Sequence, residues 1–142
     1  MRSMQIETAM IADFAEIVSG KLYLMGGGWD NYWVDKAPAQ VRIAIAVGVR
    51  VGWDETNVQI PVRIWIEDDD GQEMVRIEGS VNVGRPAGLP PGSGQLAQMA
   101  ANVPFQAPHV GGYRIRIQAG EQESSYQVLP FRVMARQSPA AG

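Results

Sequence analysis

Residues able to carry out nucleophilic or acid–base chemistry are few in this chain of 142 residues. His109 is the only histidine, and there is no cysteine. A Ser-His-Asp triad would therefore need His109, yet no serine occupies a Gly-x-Ser-x-Gly elbow, and Ser93 lies in a Pro- and Gly-rich segment. One histidine without cysteine also makes a zinc site poor. We expect no enzyme, no catalytic residue, no metal site and no cofactor.

Two motifs could bind ions but fit a structural role better. The acidic run Glu67–Glu73 could hold calcium, but the twelve-residue spacing of an EF-hand is absent. Its Asp70-Gly71 step is typical of a hairpin turn. The glycines 26–28 are not followed by the Gly-Lys-Ser/Thr of a phosphate-binding loop. We interpret the first motif as a solvated hairpin tip and the second as a corner between two strands.

Four aromatic residues are the candidate binding residues: Trp29, Tyr32, Trp33 and Trp53. Clustered aromatic side chains near loops can stack on a sugar or anchor a protein partner. The same residues could instead cap the open end of a β-sandwich. The sequence leaves both interpretations open.

Composition narrows the function class. The chain is 46% hydrophobic and 19% charged, with a net charge of -3 and a pI of about 5.1. This acidic balance lacks the basic footprint of proteins that bind nucleic acid or anionic lipid. The N-terminus has no apolar signal core, and no apolar run of about 18 residues could span a bilayer. We expect a cytoplasmic protein without nucleic-acid or membrane partners.

The elements that must position these residues show a hydrophobic period of two almost everywhere. In Val41–Val51 the odd positions are Val or Ile, and the even positions include Ala44, Ala46 and Gly48. Such small residues indicate that something packs closely against the second face. From Ile6, the residues Ile6, Thr8, Met10, Ala12 and Phe14 share one face; a helix over 8–18 is conceivable, but a strand is preferred.

Prolines, glycines and charges refine this pattern. Pro61 predicts an edge or bulged strand over 58–66, because proline cannot donate to a ladder. Across the following hairpin, Arg63 and Glu67 are predicted to pair with Glu78 and Arg76. Residues 85–98 are predicted to be irregular, with a short strand at 102–106.

The strand pattern predicts a fold class. About eight short strands joined by Gly, Pro and Asp turns, without a long helix, indicate an all-β, two-sheet antiparallel β-sandwich. We expect a single domain over residues 1–142, with a frayed tail at 136–142.

Several motifs resemble those of a known family. Ala12–Glu16 precedes Gly20-Lys21-Leu22-Tyr23-Leu24-Met25-Gly26-Gly27, and Pro38–Ala44, Gly112–Ile115 and Leu129–Val133 follow. Together they resemble a family of short bacterial proteins known only as a domain of unknown function, over most of residues 4–135. The closing motifs also recur in immunoglobulin-like bacterial modules, so the resemblance implies an immunoglobulin-like sandwich. It implies no activity and no catalytic residue.

The preferred functional hypothesis is a non-enzymatic β-sandwich module that acts through protein–protein contacts. Neither face of Val41–Val51 resembles the polar outside of a sheet, and Trp29–Trp33 adds apolar surface. These features predict a homo-oligomer or one component of a bacterial assembly. The alternative is a carbohydrate- or small-ligand-binding module that uses the Trp29–Trp33 patch.

Overall fold

The computed structural model describes residues 4–137, which form nine β-strands. The preferred strand, and not the alternative helix, occupies residues 8–18. Residues 138–142 of the expected frayed tail lie outside the described residues. In chain order the strands are β1 (Gln5–Val18), β2 (Lys21–Gly27), β3 (Asn31–Val34), β4 (Ala39–Val51), β5 (Ile60–Asp68), β6 (Glu73–Val81), β7 (Gln95–Ala107), β8 (Gly111–Ala119) and β9 (Tyr126–Ala135), with short 3-10 turns at Trp53–Glu55 and Glu123–Ser125.

The strands form the predicted two-sheet β-sandwich. One sheet has the order β2-β1-β4-β7 and the other the order β3-β9-β8-β5-β6. Neighbours are antiparallel except for β3, which runs parallel to β9. The strands of the four-stranded sheet are longer than expected: β1 has 14 residues, and β4 and β7 have 13 each. One further strand, β3, is only four residues long.

The core lies between the two sheets and follows the predicted alternation. On β4 the six odd-numbered residues from Val41 to Val51 are all buried, and they face the buried isoleucines and valines of β5. Phe105, Tyr113 and Phe131 pack ring against ring at one end of this core, with centroids 5.6 to 6.3 Å apart. Burial of these side chains is the main source of stability for the sandwich.

The predicted face of β1 is interrupted by a bulge. The register with β4 shifts between Ile6 and Thr8, so two residues of β1 stand opposite one step of β4. Ile6 therefore packs against the core with Ile11, whereas Met10 lies on the other face. The sequence had placed Ile6 and Met10 together, which is wrong because an extra residue exchanges the two faces of a strand.

β7 is the largest departure from the sequence expectation. Residues 95–98 were predicted to be irregular, but the irregular segment spans only 82–94 and β7 begins at Gln95. The strand pairs with β4 along its whole length. Its alternation is hard to see because alanine occupies both faces, as at Ala100 and Ala101. Pro104 is tolerated because β7 is an edge strand.

Pro61 marks neither an edge strand nor a bulge, because it pairs regularly with Ser80 and the register shift between β5 and β6 lies between Ile66 and Glu67. β5 lies between β8 and β6, and Pro61 stands one residue before the β5–β8 register begins at Val62. Its carbonyl accepts a hydrogen bond from the Gly120 amide at 2.8 Å. Because the N–H and C=O of a strand residue point the same way, the missing N–H faces the end of β8 and leaves the β6 ladder intact.

The three glycines form the predicted corner, where the chain leaves one sheet for the other. Gly26 and Gly28 have φ values of 64° and 82°, in the left-handed region that glycine adopts without strain. β2 ends at Gly27 in the four-stranded sheet, and β3 begins at Asn31 in the five-stranded sheet. The corner thus delivers Trp29, Tyr32 and Trp33 to the edge of the second sheet.

Candidate functional site

The predicted aromatic patch does not form one exposed surface. Trp29 and Tyr32 are tilted against each other with ring centroids 5.9 Å apart, and both pack against the core. Trp29 Nε1 is buried and has no hydrogen-bond partner within residues 4–137. Trp33 points the other way and is 49% exposed. The structure therefore joins Trp29 to Tyr32 and leaves Trp33 on the outside.

Trp53 lies at the opposite end of the sandwich. Its neighbour Glu55 accepts a hydrogen bond from Gln122, which precedes β9, whereas Trp33 pairs with Met134 near the end of β9. The Arg85 guanidinium stacks 3.9 Å from the centroid of the Trp53 ring and donates to the Trp53 carbonyl at 2.8 Å. Trp53 thus anchors the start of the 82–94 segment, apart from the other three aromatic residues.

The small residues of β4 are covered by the chain itself. Ala44 and Ala46 lie on the outer face of the four-stranded sheet, yet both are fully buried in a cluster with Ala12 and Ala15. Leu22, Leu24 and Ala100 pack against this alanine cluster. The covering element is the hairpin formed by the second half of β1 and β2, since β1 pairs with β4 only as far as Ala12.

The tip of this hairpin reaches across β4 to β7. Gln98, on the outer face of β7, donates a side-chain hydrogen bond at 3.0 Å to the carbonyl of Gly20 in the β1–β2 turn. Both β1 and β2 also contact β7, although β4 lies between β1 and β7 in the sheet. The prediction that something packs against β4 is confirmed. Within one chain the hairpin covers this face, so it is not open to solvent, and the predicted self-association stays a prediction.

The hairpin carries exposed apolar side chains on the side that faces away from the sheet. Phe14 and Met25 are direct cross-strand partners, 42% and 69% exposed, and Val18 and Tyr23 on the same side are 45% and 51% exposed. We call these four residues the hairpin patch. Sequence reasoning missed it. The alternation of Leu22-Tyr23-Leu24-Met25 was a usable signal, because it gives β2 two apolar faces and only one can meet the sheet.

The outer face of the five-stranded sheet is charged. Glu67, nearly buried, accepts hydrogen bonds from Arg114 at 3.2 Å and from Arg116 at 2.5 Å. The predicted pairs across the β5–β6 hairpin do not form: Arg63 bonds to Glu121, and Arg76 bonds to Glu73. Arg63 and Glu78 are register partners as expected. Arg63 bonds instead to a residue in the turn after β8, and Arg76 bonds to a residue of its own strand. Arg76 also lies 4.8 Å from the ring centroid of Trp65.

His109 joins two turns. Its Nε2 lies 3.1 Å from Asp68 Oδ2, and its Nδ1 lies 3.2 Å from the Val110 carbonyl. The Asp68 carboxylate also accepts from the Asp70 and Gln72 amides, which fixes the β5–β6 turn. The hydrogen bond to Asp68 raises the pKa of His109, while the Gln72 amide and then His109 lower the pKa of Asp68. This arrangement ties the β5–β6 turn to the β7–β8 turn.

Tyr113 also stabilises the β7–β8 turn through contacts with His109. Its hydroxyl donates to the backbone carbonyl of His109 at 2.6 Å, and its ring stacks on the imidazole with centroids 5.3 Å apart. Burial raises the pKa of the Tyr113 hydroxyl. The hydroxyl of Tyr113, a residue near the start of β8, thus bonds to the backbone four residues upstream and fixes the β7–β8 turn.

Residues that could hold a metal ion do not converge in the described part of the chain. Within residues 4–137, there is no group of three or more His, Asp or Glu side chains placed to bind one. Nor do these residues include a helix long and apolar enough to cross a membrane.

Comparison with known proteins assigns the family. The model of a family of unknown function, DUF6941, matches residues 7–134. The chain belongs to this family. The resemblance to a domain of unknown function is thereby confirmed, whereas the bacterial origin and the immunoglobulin-like form of the sandwich stay expectations. No curated protein matches the chain.

Solved structures give fold similarities only. The C-terminal domain of wzt is 11% identical with a TM-score of 0.45, over 94% of this chain and 75% of that one. A CARDB domain from Pyrococcus furiosus, solved in complex with di-metal ions, is 14% identical with a TM-score of 0.42, over 95% of this chain and 100% of that one.

Proposed function

We propose that this DUF6941 chain is a non-enzymatic interaction module that associates with a second copy of itself through the hairpin patch. The observation that carries the proposal is the exposure of Phe14, Val18, Tyr23 and Met25 on one side of a two-stranded hairpin. Clusters of large apolar side chains that face solvent mark interaction sites. The patch stands on a hairpin whose other side is buried, so its residues are held in one plane.

Two charged residues among the side chains of the hairpin patch favour a second copy as the partner. Glu16 and Lys21 lie on the same side of the hairpin as the patch, because they pair with Tyr23 and Val18 in the β1–β2 register. A two-fold contact places the same surface against itself, so it requires self-complementarity. Glu16, which lies between Phe14 and Val18, can then meet Lys21 of the other copy, and the symmetry forms this contact twice. A cytoplasmic location agrees with a chain that has no cysteine.

Size-exclusion chromatography with light scattering tests this proposal. We expect the wild-type chain to have a mass above the 15.5 kDa monomer, and Met25→Glu to lower it. Val58→Glu is the matched control, because Val58 is also an exposed apolar residue but lies before β5. A monomeric wild type overturns the proposal. If Trp33→Glu lowers the mass and Met25→Glu does not, the interface lies at β3 and the hairpin assignment is wrong.

A further inference from the structure

We infer that the β1–β2 hairpin is an exchangeable element, and that the alanine-lined outer face of β4 is a docking site for the hairpin of a second copy. This inference rests on the proposed self-association and adds a second contact between the two copies. The structure itself shows the occupant: Leu22 and Leu24 of the hairpin pack on the cluster that contains Ala44 and Ala46. A second copy carries the same hairpin, so the outer face of β4 can bind that hairpin through the same contacts.

The hairpin is built to move as a unit. β1 and β2 pair with each other from Ala12↔Gly27 to Val18↔Lys21, so their backbone hydrogen bonds stay satisfied when the hairpin leaves the sheet. A two-stranded hairpin alone is marginally stable in water, so it needs a surface to cover. The hairpin must therefore pack again on the alanine-lined outer face of a β4 strand, either that of its own chain or that of a second copy.

The hinge lies where the hairpin meets the sheet. The β1–β4 register ends at Ala12↔Ala44, and the β1–β2 register begins at Ala12↔Gly27. On the second strand, Gly26 and Gly28 both have positive φ values, and glycine can leave this conformation without steric cost. Straightening β1 beyond Ala12, with a change at these glycines, swings the hairpin away from its own sheet.

Exchange of identical elements between two copies closes with two-fold symmetry and reuses contacts that already exist in the monomer. No new surface has to evolve, because the hydrogen bond from Gln98 to Gly20 and the leucine contacts re-form between chains. The hairpin patch still faces away from the sheet after the exchange, so the patch contact and the exchange are two separate contacts between the copies.

Cysteine cross-linking tests the exchange cleanly, because the chain has no native cysteine. Ser19→Cys with Gln98→Cys joins the hairpin tip to β7; Ser19 precedes Gly20, whose carbonyl accepts from Gln98. Gln59→Cys with Ser80→Cys is the control pair, since Gln59 and Ser80 share a 2.8 Å hydrogen bond within the five-stranded sheet. Each variant is refolded at micromolar concentration, treated with a short bismaleimide, and run on a denaturing gel beside a light-scattering measurement.

The two readouts separate the inference from the proposed function. We expect a dimer by light scattering, a covalent dimer from the 19/98 pair and only intrachain links from the 59/80 pair. A dimer with intrachain links from both pairs overturns the exchange and leaves association through the patch standing. A monomer with intrachain links overturns both. Covalent dimers from both pairs, or no link from the 19/98 pair, also contradict the exchange.

Discussion

The outer face of the four-stranded sheet is lined with alanine and covered by the β1–β2 hairpin, whereas the outer face of the five-stranded sheet carries arginine and glutamate and faces solvent. β8 follows the ordinary rule for an antiparallel sheet, with Ile115 and Ile117 inside and Arg114 and Arg116 outside. β4 does not, because Ala44 and Ala46 are buried on its second face as well.

The difference shows what small side chains on a sheet allow: a second layer of chain can cover the sheet, and the exposed apolar surface is then that of the covering layer. Alanine leaves room for a second ribbon of chain above β4, so the hairpin can pack there. The hairpin then exposes its own apolar side, and the hairpin patch replaces the sheet as the surface open to partners. On the opposite face, arginine side chains occupy the surface, and residues 4–137 form no second layer over them.

The largest expected effect comes from a charge placed under the hairpin. Ala46→Arg should lower the free energy of unfolding by more than about 3 kcal/mol, or detach the hairpin, because the site has neither space nor a counter-charge. Urea denaturation measures the change. Ser80→Arg, on the exposed outer face of β6, is the matched control and should change stability by less than about 0.5 kcal/mol. Equal effects of the two substitutions would contradict the claim that the outer face of β4 is covered while that of β6 is open to solvent.

A smaller effect is expected on the charged face. Glu67→Gln should lower the free energy of unfolding by about 1–2 kcal/mol, because Arg114 and Arg116 both donate to this nearly buried carboxylate. Thermal or urea unfolding gives the value. Glu78→Gln, at an exposed position on the same face, should be close to neutral. A neutral Glu67→Gln would show that the arginines find other partners at no cost.

The smallest effect is a pH dependence at the edge of the charged sheet. The pKa of His109 is raised by Asp68, so its stabilising contribution is complete below the unfolded pKa of about 6.5 and is lost as the pH rises through the higher folded value. The pKa of Asp68 is lowered, so its contribution is present above its unfolded pKa, near 4, and is lost as the pH falls through the lower folded value.

The difference in melting temperature between wild type and His109→Gln isolates this contribution. We expect the difference to be largest between about pH 5 and 6 and to shrink towards pH 9. Tyr113 bonds to the backbone carbonyl of His109, so that contact survives the substitution. A difference that stays constant over this range would show that the imidazole is not charged in the folded protein.

Much of the fold could be predicted because strand periodicity reports burial directly. Val41–Val51, Tyr113–Ile117 and Leu129–Val133 alternate as their faces require, and the structure confirms these strands. Only residues 102–106 of β7 were predicted as a strand, and its first half was missed because Ala97, Ala100 and Ala101 give no contrast between the two faces. The bulge after Ile6 was not predicted, because it depends on how β1 pairs with β4 and the sequence of one strand does not show that pairing.

The candidate site was harder to predict because it depends on tertiary placement. The sequence does not distinguish Trp29, Tyr32, Trp33 and Trp53, but in the fold the first two are partly buried against the core and the last lies at the other end of the sandwich. The small face of β4 correctly indicated a close neighbour. That the neighbour is the chain's own hairpin depends on the change of partner at Ala12, where β1 stops pairing with β4 and pairs with β2, and no local pattern encodes where the hairpin then packs.

The most direct test of this account is a methyl NOESY spectrum of protein labelled at alanine and leucine. We expect cross-peaks that join Leu22 or Leu24 to Ala44 or Ala46, because the two leucines pack against the buried cluster that contains these alanines. A spectrum in which Leu22 and Leu24 show cross-peaks only to β1 would place the hairpin away from the sheet. That result would contradict both the covered face of β4 and the orientation of the hairpin patch.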